Sequence, residues 1–274
     1  MALAFFDRAR IVVRGGGDLA SGVIYRLVRA GFPVIVLELD APLLVRRTVC
    51  FGDAVYVGAR AVEGLTSRFV ADLATAARVI ERGEIPVLID PDGLIIPVFK
   101  PTVVIDARME KRNPDTTIHE APCVIALGPG FTAGLDCHAV IETNRGHDLG
   151  RVIRNGSAEP DTGEPGSLMN KTHSRVLRAP ADGHIDPNHA IGELVQAGDV
   201  IATISGHAIN APFTGILRGL MHSHVRVQTG MKVGDLDPRA RREHCFTLSD
   251  KSLAVGGGAL EAVMSSSAVR AYFG

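Results

Sequence analysis

Residues 179–204 recur at residues 211–236, thirty-two positions later and without a gap. Ala179-Pro180 and Gly183 return as Ala211-Pro212 and Gly215, and Val195-Gln196 and Gly198 return as Val227-Gln228 and Gly230. Ile185, Ile201 and Ile204 return as the aliphatics Leu217, Val233 and Leu236. Self-similarity at a fixed period marks one supersecondary unit used twice. Each copy is too short to bury an apolar face alone, so the two are expected to close on one another as a small β barrel or sandwich.

That repeat resembles the biotinyl/lipoyl-like barrel-sandwich hybrid. In carrier domains of that family the modified lysine sits in the hairpin between the halves. Here that stretch is Ser205-Gly206-His207-Ala208-Ile209-Asn210, without a lysine, and Met231-Lys232 falls inside the second half. The resemblance therefore implies the fold without a covalently attached arm.

Upstream, the chain reads as an α/β unit. Ile11-Val12-Val13 is a short apolar strand broken by Gly15-Gly16-Gly17-Asp18. Leu19, Val23, Ile24, Leu27 and Val28 then recur at helical spacing, Gly31 suits a left-handed cap, and 33–38 is a second buried strand. Val70, Leu73, Ala77 and Ile80 share a further helix face, and the aliphatic runs 86–89, 102–105 and 123–127 suit a parallel sheet covered on both sides. Residues 138–142 and 149–153 look like hairpin arms. The expected organisation is a Rossmann-like parallel-sheet domain over 1–154 and a linker or surface loop over 155–172. The barrel-sandwich domain would follow over 173–240 and a C-terminal helical segment over 241–274. Gly256-Gly257-Gly258 is expected to turn or kink that last helix, because each mid-helix glycine costs about 1 kcal/mol.

Gly15-x-Gly17-x-x-Ala20 follows a strand and opens a helix, as in the dinucleotide-binding fingerprint. Such glycines let backbone N–H groups approach a phosphate at the positive end of a helix. Glu38 lies where an acid would accept a ribose or pterin hydroxyl or N–H. Asp18 in the turn would repel a phosphate or simply cap the helix, and Arg14 would offset it. A second glycine loop, Gly128-Pro129-Gly130-Phe131, also ends a strand, and with Asp136, His138, Glu142, Arg145 and His147 is expected to form the opposite wall of one crevice. The bland alternative is a rigid turn that packs Phe131 into the core. Asp106, Arg108, Lys111 and Arg112 follow another strand, as phosphate-neutralising groups or a solvated loop. Cys137 reads as a small buried residue before it reads as a nucleophile. The spacing of Asp136, Cys137, His138 and Glu142 does not make a closed zinc site, and no metal is expected.

Composition narrows the classes. Net charge is -1, from 29 Lys plus Arg and 30 Asp plus Glu, so nothing favours a nucleic-acid partner or an anionic membrane. There is no Trp and aromatics are 5%, which disfavours stacking platforms for bases. No run is long and apolar enough to span a bilayer, and the four dispersed cysteines fit a reduced, cytoplasmic protein.

Several motifs together carry a family resemblance. They are Arg14-Gly15-Gly16-Gly17-Asp18-Leu19-Ala20, Arg46-Arg47-Thr48-Val49, Asp106-Ala107-Arg108-Met109, the stretch from Gly128 to Gly150, and Gly234-Asp235-x-Asp237-Pro238-Arg239. In this order they resemble the YqeB-type proteins of the selenium-dependent molybdenum hydroxylase system, relatives of the XdhC/CoxI accessory proteins. The resemblance implies a maturation role toward a molybdenum hydroxylase apoenzyme and binding of molybdenum cofactor, as molybdopterin or its nucleotide form. Whether a reaction is catalysed, and whether the chain forms a homo-oligomer, stay open. The residues alone also allow an NAD(P)-dependent oxidoreductase, with a general acid such as His138, or a non-enzymatic interaction scaffold.

Overall fold

The computed structural model describes residue 6, residues 8–161 and residues 175–272. In the first part, β1 (Ile11–Arg14), α1 (Asp18–Arg29) and β2 (Val34–Glu38) form the βαβ unit read from the sequence. They are followed by α2 (Ala54–Val57), β3 (Ala59–Val62), β4 (Leu65–Phe69), α3 (Leu73–Glu81), β5 (Ile85–Ile89), α4 (Ile96–Phe99), β6 (Val103–Asp106) and β7 (Cys123–Leu127). Next come β8 (Thr132–Ala133), β9 (Ala139–Ile141), β10 (Val152–Ile153) and β11 (Gly156–Ser157).

Nine of these strands make one sheet in the order β10-β9-β7-β6-β1-β2-β5-β4-β3. Its pairings are parallel except at the two edges, where β10 and β3 run antiparallel to their neighbours. The chain leaves β1 toward β2 on one side and later returns as β6 on the other. Loops beyond the carboxyl ends of β1, β2 and β6 therefore diverge and open a crevice, the usual ligand position in such sheets. Alternation along the strands serves two cores. Ile11 and Val13 face one side with α1, and Val12 faces the other with α3 and Phe131. Each fully buried aliphatic or aromatic side chain contributes about 1.5–3 kcal/mol, so two continuous faces suffice to hold the sheet.

The repeat unit begins with β12 (Val176–Arg178). Its first copy is β13 (Gly183–Pro187), β14 (Leu194–Val195) and β15 (Val200–Ile204), followed by β16 (His207–Asn210). Its second copy is β17 (Gly215–Leu220), β18 (Arg226–Val227) and β19 (Lys232–Asp237). The copies match strand for strand at the offset of the repeat, and their pairing obeys the same symmetry. Gly183 opposite Val227 mirrors Gly215 opposite Val195, and Ile185 opposite Ile204 mirrors Leu217 opposite Leu236. Each copy thus lends a strand to the other's sheet. The two four-stranded antiparallel sheets enclose one core that includes Ile185, Val195, Ile201, Leu217, Val227 and Val233.

The chain then returns to the large sheet. The helix α5 (Asp250–Ser265) is capped by Ser249, whose side chain accepts from the Ser252 N–H, and is followed by α6 (Ser267–Arg270). The turn or kink expected at Gly256–Gly258 does not interrupt the helix, which runs through all three. A Cβ on Gly256 would stand 2.3 Å from the Gly22 carbonyl oxygen on α1, and one on Gly258 would stand 2.0 Å from that of Gly150. The helical cost of glycine is offset by the approach of α5 to α1, with Val255, Ala259, Ala262 and Val263 joining the α1-side core. The C-terminal segment is therefore part of the sheet unit's packing. Gly156–Ser157, expected in the linker, pair instead with Ala133 and Thr132, and residues 162–172 of that expected linker lie outside the described residues. No helix among the described residues is long and apolar enough to cross a membrane.

Candidate functional site

At the carboxyl ends of β1, β2 and β6 lies a cleft of about 350 Å³, lined by Gly15, Gly17, Asp18, Glu38, Leu44, Arg46, Arg108, Met109 and others. It opens onto a second lobe of about 290 Å³, and the two lobes share Asp18, Leu19, Arg46 and Lys232. The second lobe lies between the sheet unit, α5 and the repeat unit. Six cations line it (Arg46, Arg145, Arg175, Arg218, Lys232 and Lys251) against the carboxylates Asp18 and Asp235. A chain of near-zero net charge has thus gathered positive charge at one place.

The glycine loop is built closely. Gly15 donates its N–H to the Leu37 carbonyl at 2.7 Å, and the Gly16 carbonyl accepts from Gly52 at 2.9 Å. A Cβ on Gly16 would lie 2.6 Å from the Gly52 nitrogen, so the turn at Phe51–Asp53 requires glycine there. Glu38 does not wait for a sugar. Its Oε1 accepts the Gly16 N–H at 2.7 Å and its Oε2 accepts the Leu39 N–H at 2.9 Å. Glu38, expected to contact a ligand, lines the cleft with its carboxylate on the loop's own donor, where a phosphate would have been. Burial raises its pKa, partly offset by those two N–H groups.

Asp18 neither repels an open anion site nor caps the helix with its side chain. Both its oxygens accept from Arg46, at 2.9 and 2.8 Å, and Arg46 also donates to the carbonyls of His244 and Thr247. The buried Arg14 is turned away from the cleft to pair with the exposed Asp115, whose Oδ1 and Oδ2 each lie 2.9 Å from its nitrogens. Arg108 reaches the cleft wall but is held by Asp106 and Asp115, and Lys111 pairs with Asp161.

The expected opposite wall does not assemble. Gly128 and Gly130 adopt positive φ so that chain can pack on chain: a Cβ on Gly130 would meet the Arg112 backbone at 2.5 Å. Pro129 is half-buried between them, and Phe131 is buried in the core face away from α1. Asp136 accepts the Thr132 N–H at 2.8 Å, holding its own loop. His138 stands at the amino end of β9, where its Nδ1 accepts the Val124 N–H at 3.0 Å, at the sheet end opposite the cleft. Glu142 is buried and takes the N–H groups of Asn144 and Glu159. His147 is exposed and lines neither lobe. Of that set Arg145 alone lines the second lobe, paired to Asp250 at 2.8 Å. The physical reason is that a parallel strand has two ends: residues before and after β9 point into opposite loop layers. Cys137 is buried and pushed up to about 12, chiefly by desolvation, which leaves it a thiol.

Arg175, Arg218, Lys232 and Lys251 were missed by the sequence reading. A signal existed in the repeat. At three positions of the lobe the second half departs from the first: Arg218 stands where the first has Asp186, Lys232 where it has Val200, and Asp235 where it has Thr203. Arg218 makes no side-chain hydrogen bond among the described residues, and its nearest carboxylate oxygens, on Asp235 and Asp237, are 3.8 Å away. Lys232 and Lys251 have no ion pair among the described residues. Desolvation lowers the pKa of all three, with Arg46 adding to the effect on Arg218 and Arg145 to that on Lys251.

No family model matches the chain. Solved structures of an aspartoacylase family protein from Mesorhizobium loti and a succinylglutamate desuccinylase/aspartoacylase from Rhodobacter sphaeroides align over 83% of this chain and 84% of theirs. Their identities are 14% and 16% and their TM-scores 0.25 and 0.26, too low to fix either fold or chemistry. The sequence likeness is of another order: 254 residues, 93% of this chain, align at 51% identity with 47% of an Escherichia coli (strain K12) protein, so the chain spans about half the length of that relative. The protein described here is a homologue of that E. coli protein, the uncharacterized protein YqeB.

Proposed function

We propose that the chain is an accessory protein in the maturation of a molybdenum-containing hydroxylase, and that it holds a phosphate-bearing cofactor in the cleft between the sheet and the repeat unit. The observation that carries this reading is the two-lobed cleft, with six cations around one lobe and the glycine loop at the mouth of the other. A multiply charged anion is the occupant such a wall favours, because its six cations outnumber the two carboxylates that line it and Arg218 is mostly buried with no side-chain hydrogen bond among the described residues. The motif resemblance supplies the system, and the homology to YqeB agrees with it while adding no activity. The strand order supports the Rossmann-like description of the first unit, and the exchanged repeat supports the barrel-sandwich description of the second.

The residues fit the phosphate of a molybdopterin-type cofactor or its nucleotide form: Arg175, Arg218, Lys232 and Lys251 would hold it, with Leu39, Leu44 and Met109 beside its flat part. Such a group, when bound, supplies the redox metal site of the client hydroxylase. This chain's own part is to bind it, shield it and release it to the apoenzyme. The nicotinamide reading finds less support, because Glu38 already occupies the Gly16 N–H and His138 lies at the far end of the sheet.

Mass spectrometry of small molecules released from freshly purified protein tests the proposal. A phosphate-bearing pterin is the expected result. A nicotinamide dinucleotide would transfer support to the oxidoreductase, and release of neither from protein made in cells that synthesise the cofactor would overturn the reading.

A further inference from the structure

The cleft has two candidate seats for an anion, the glycine loop and the cation cluster, and they are not equivalent. At the loop, Gly15 and Gly16 have spent their N–H groups on Leu37 and Glu38. The carboxylates of Glu38 and Asp18 both stand there, and Arg46 is already committed to Asp18 through two bonds. A phosphate arriving at this point would meet negative charge in place of donors. The second lobe also has carboxylates, Asp18 and Asp235, but six cations outnumber them. The Arg218 guanidinium carries five N–H donors, is 12% exposed, and bonds to nothing nearer than 3.8 Å. Lys232 and Lys251 stand in the same wall without partners among the described residues, and Arg175 binds one oxygen of Asp235. A buried donor left without a hydrogen bond, as on Arg218, is costly, which favours a site completed by a ligand.

Position in the repeat points the same way. Arg218 and Lys232 occur only in the second copy, at places where the first copy has Asp186 and Val200. The first copy meets the same packing demands without them, so they are not needed to close the sandwich. The other lobe differs in character: Leu39 and Leu43, both exposed, stand with Leu44, Val45 and Met109 along its wall.

We propose that the repeat unit, and not the glycine loop, supplies the anion seat. The ligand class is an amphiphilic anion, a flat apolar or heterocyclic body against Leu39, Leu43, Leu44 and Met109 joined to a phosphate or diphosphate on Arg218, Lys232, Lys251 and Arg175. Such a ligand bridges the two units, so the repeat unit is half of the binding site and not a separate docking module. This rests on the cleft being a ligand site, as proposed above, but not on the ligand's identity.

Calorimetric titration of the full chain with inorganic pyrophosphate and with ADP, a heterocycle carrying a diphosphate, tests it. Lys232→Met and Arg218→Met should each weaken both probes by about ten- to a hundredfold, the range of one charge-assisted hydrogen bond. Lys232 is exposed by area, so its variant keeps the test valid should the more buried Arg218 variant fold poorly. Gly17→Ala should change either affinity less than about threefold. Leu43→Ser should weaken ADP while leaving pyrophosphate unaltered. If Gly17→Ala abolishes binding and the two cation variants bind as the parent does, the anion sits on the loop and this inference fails, while the cleft reading survives. Equal effects of Leu43→Ser on both probes would overturn the bridging orientation. Failure of the parent protein to bind pyrophosphate at millimolar concentration would overturn the anion seat itself. Pyrophosphate binding that depends on Lys232, without any pterin in the purified protein, would uphold the seat and sink the maturation role.

Discussion

The two glycine loops of the sheet unit look alike in the sequence and do opposite things. Each ends an aliphatic strand, and each is followed by polar residues suited to a ligand. Around Gly15–Gly17 the backbone is pressed by Gly52 on one side and still lines an open cleft on the other. Around Gly128–Gly130 it is pressed by Thr143 and Arg112, and these glycines line neither lobe of the cleft. Glycine thus announces that something approaches closely, without saying whether it is a ligand or the protein itself. Even at the first loop, the closest approach is made by the protein's own Glu38 and Gly52.

The contrast can be tested by substitution. The largest effect is expected at the second loop. Gly130→Ala forces a side chain onto a φ of +104 and into the Arg112 backbone at 2.5 Å, which should cost about 3 kcal/mol and lower Tm by several degrees. Denaturant unfolding with an unchanged midpoint would show that this loop is looser than its geometry implies. An intermediate effect, about 1 kcal/mol, is expected from Glu38→Gln, which keeps one acceptor for the loop and presents an amide to the other N–H. It should also be pH-dependent. A carboxyl whose folded-state pKa is raised stabilises most when protonated, below its ordinary value of 4.5, and that contribution is lost as pH rises through the folded-state value. The glutamine variant cannot titrate, so its stability relative to the parent should improve as pH climbs from 4.5, and a constant difference across that window would remove burial as the dominant influence on Glu38. The smallest effect belongs to Gly17→Ala. Its φ is -72 and the new methyl would meet only Leu44 at 3.7 Å, so stability should change by less than about 0.5 kcal/mol. A loss matching that of Gly130→Ala would erase the distinction between the loops.

Electrostatics shows the same division between pattern and place. With 29 cations and 30 anions the composition gives no hint of an anion site. The cations of the second lobe come from positions 46, 145, 175, 218, 232 and 251, on the β2 loop, the β9 loop, the start and second half of the repeat unit, and α5. No sequence window joins them. Arg145 was singled out by its motif, whereas Lys232 was noticed only as an imperfect carrier signature. The departure of the second copy from the first at Asp186/Arg218 and Val200/Lys232 is legible in the sequence, but where those side chains meet is not.

What the chain determines locally is considerable. Alternating and continuous aliphatic runs set the strands, helical spacing set α1 and α3, and the thirty-two-residue repeat dictated two exchanging halves, because these signals come from neighbours a few residues apart and survive translation into structure. Three matters were decided only by the tertiary arrangement. They are the unbroken α5, whose Gly256 lets it lie against α1, the placing of His138 at the sheet end opposite the cleft, and the convergence of six distant cations beside the glycine loop. Each depends on which surfaces meet in the folded chain, for α5 and the cations across a hundred or more residues, and packing distance, not local propensity, sets the outcome there.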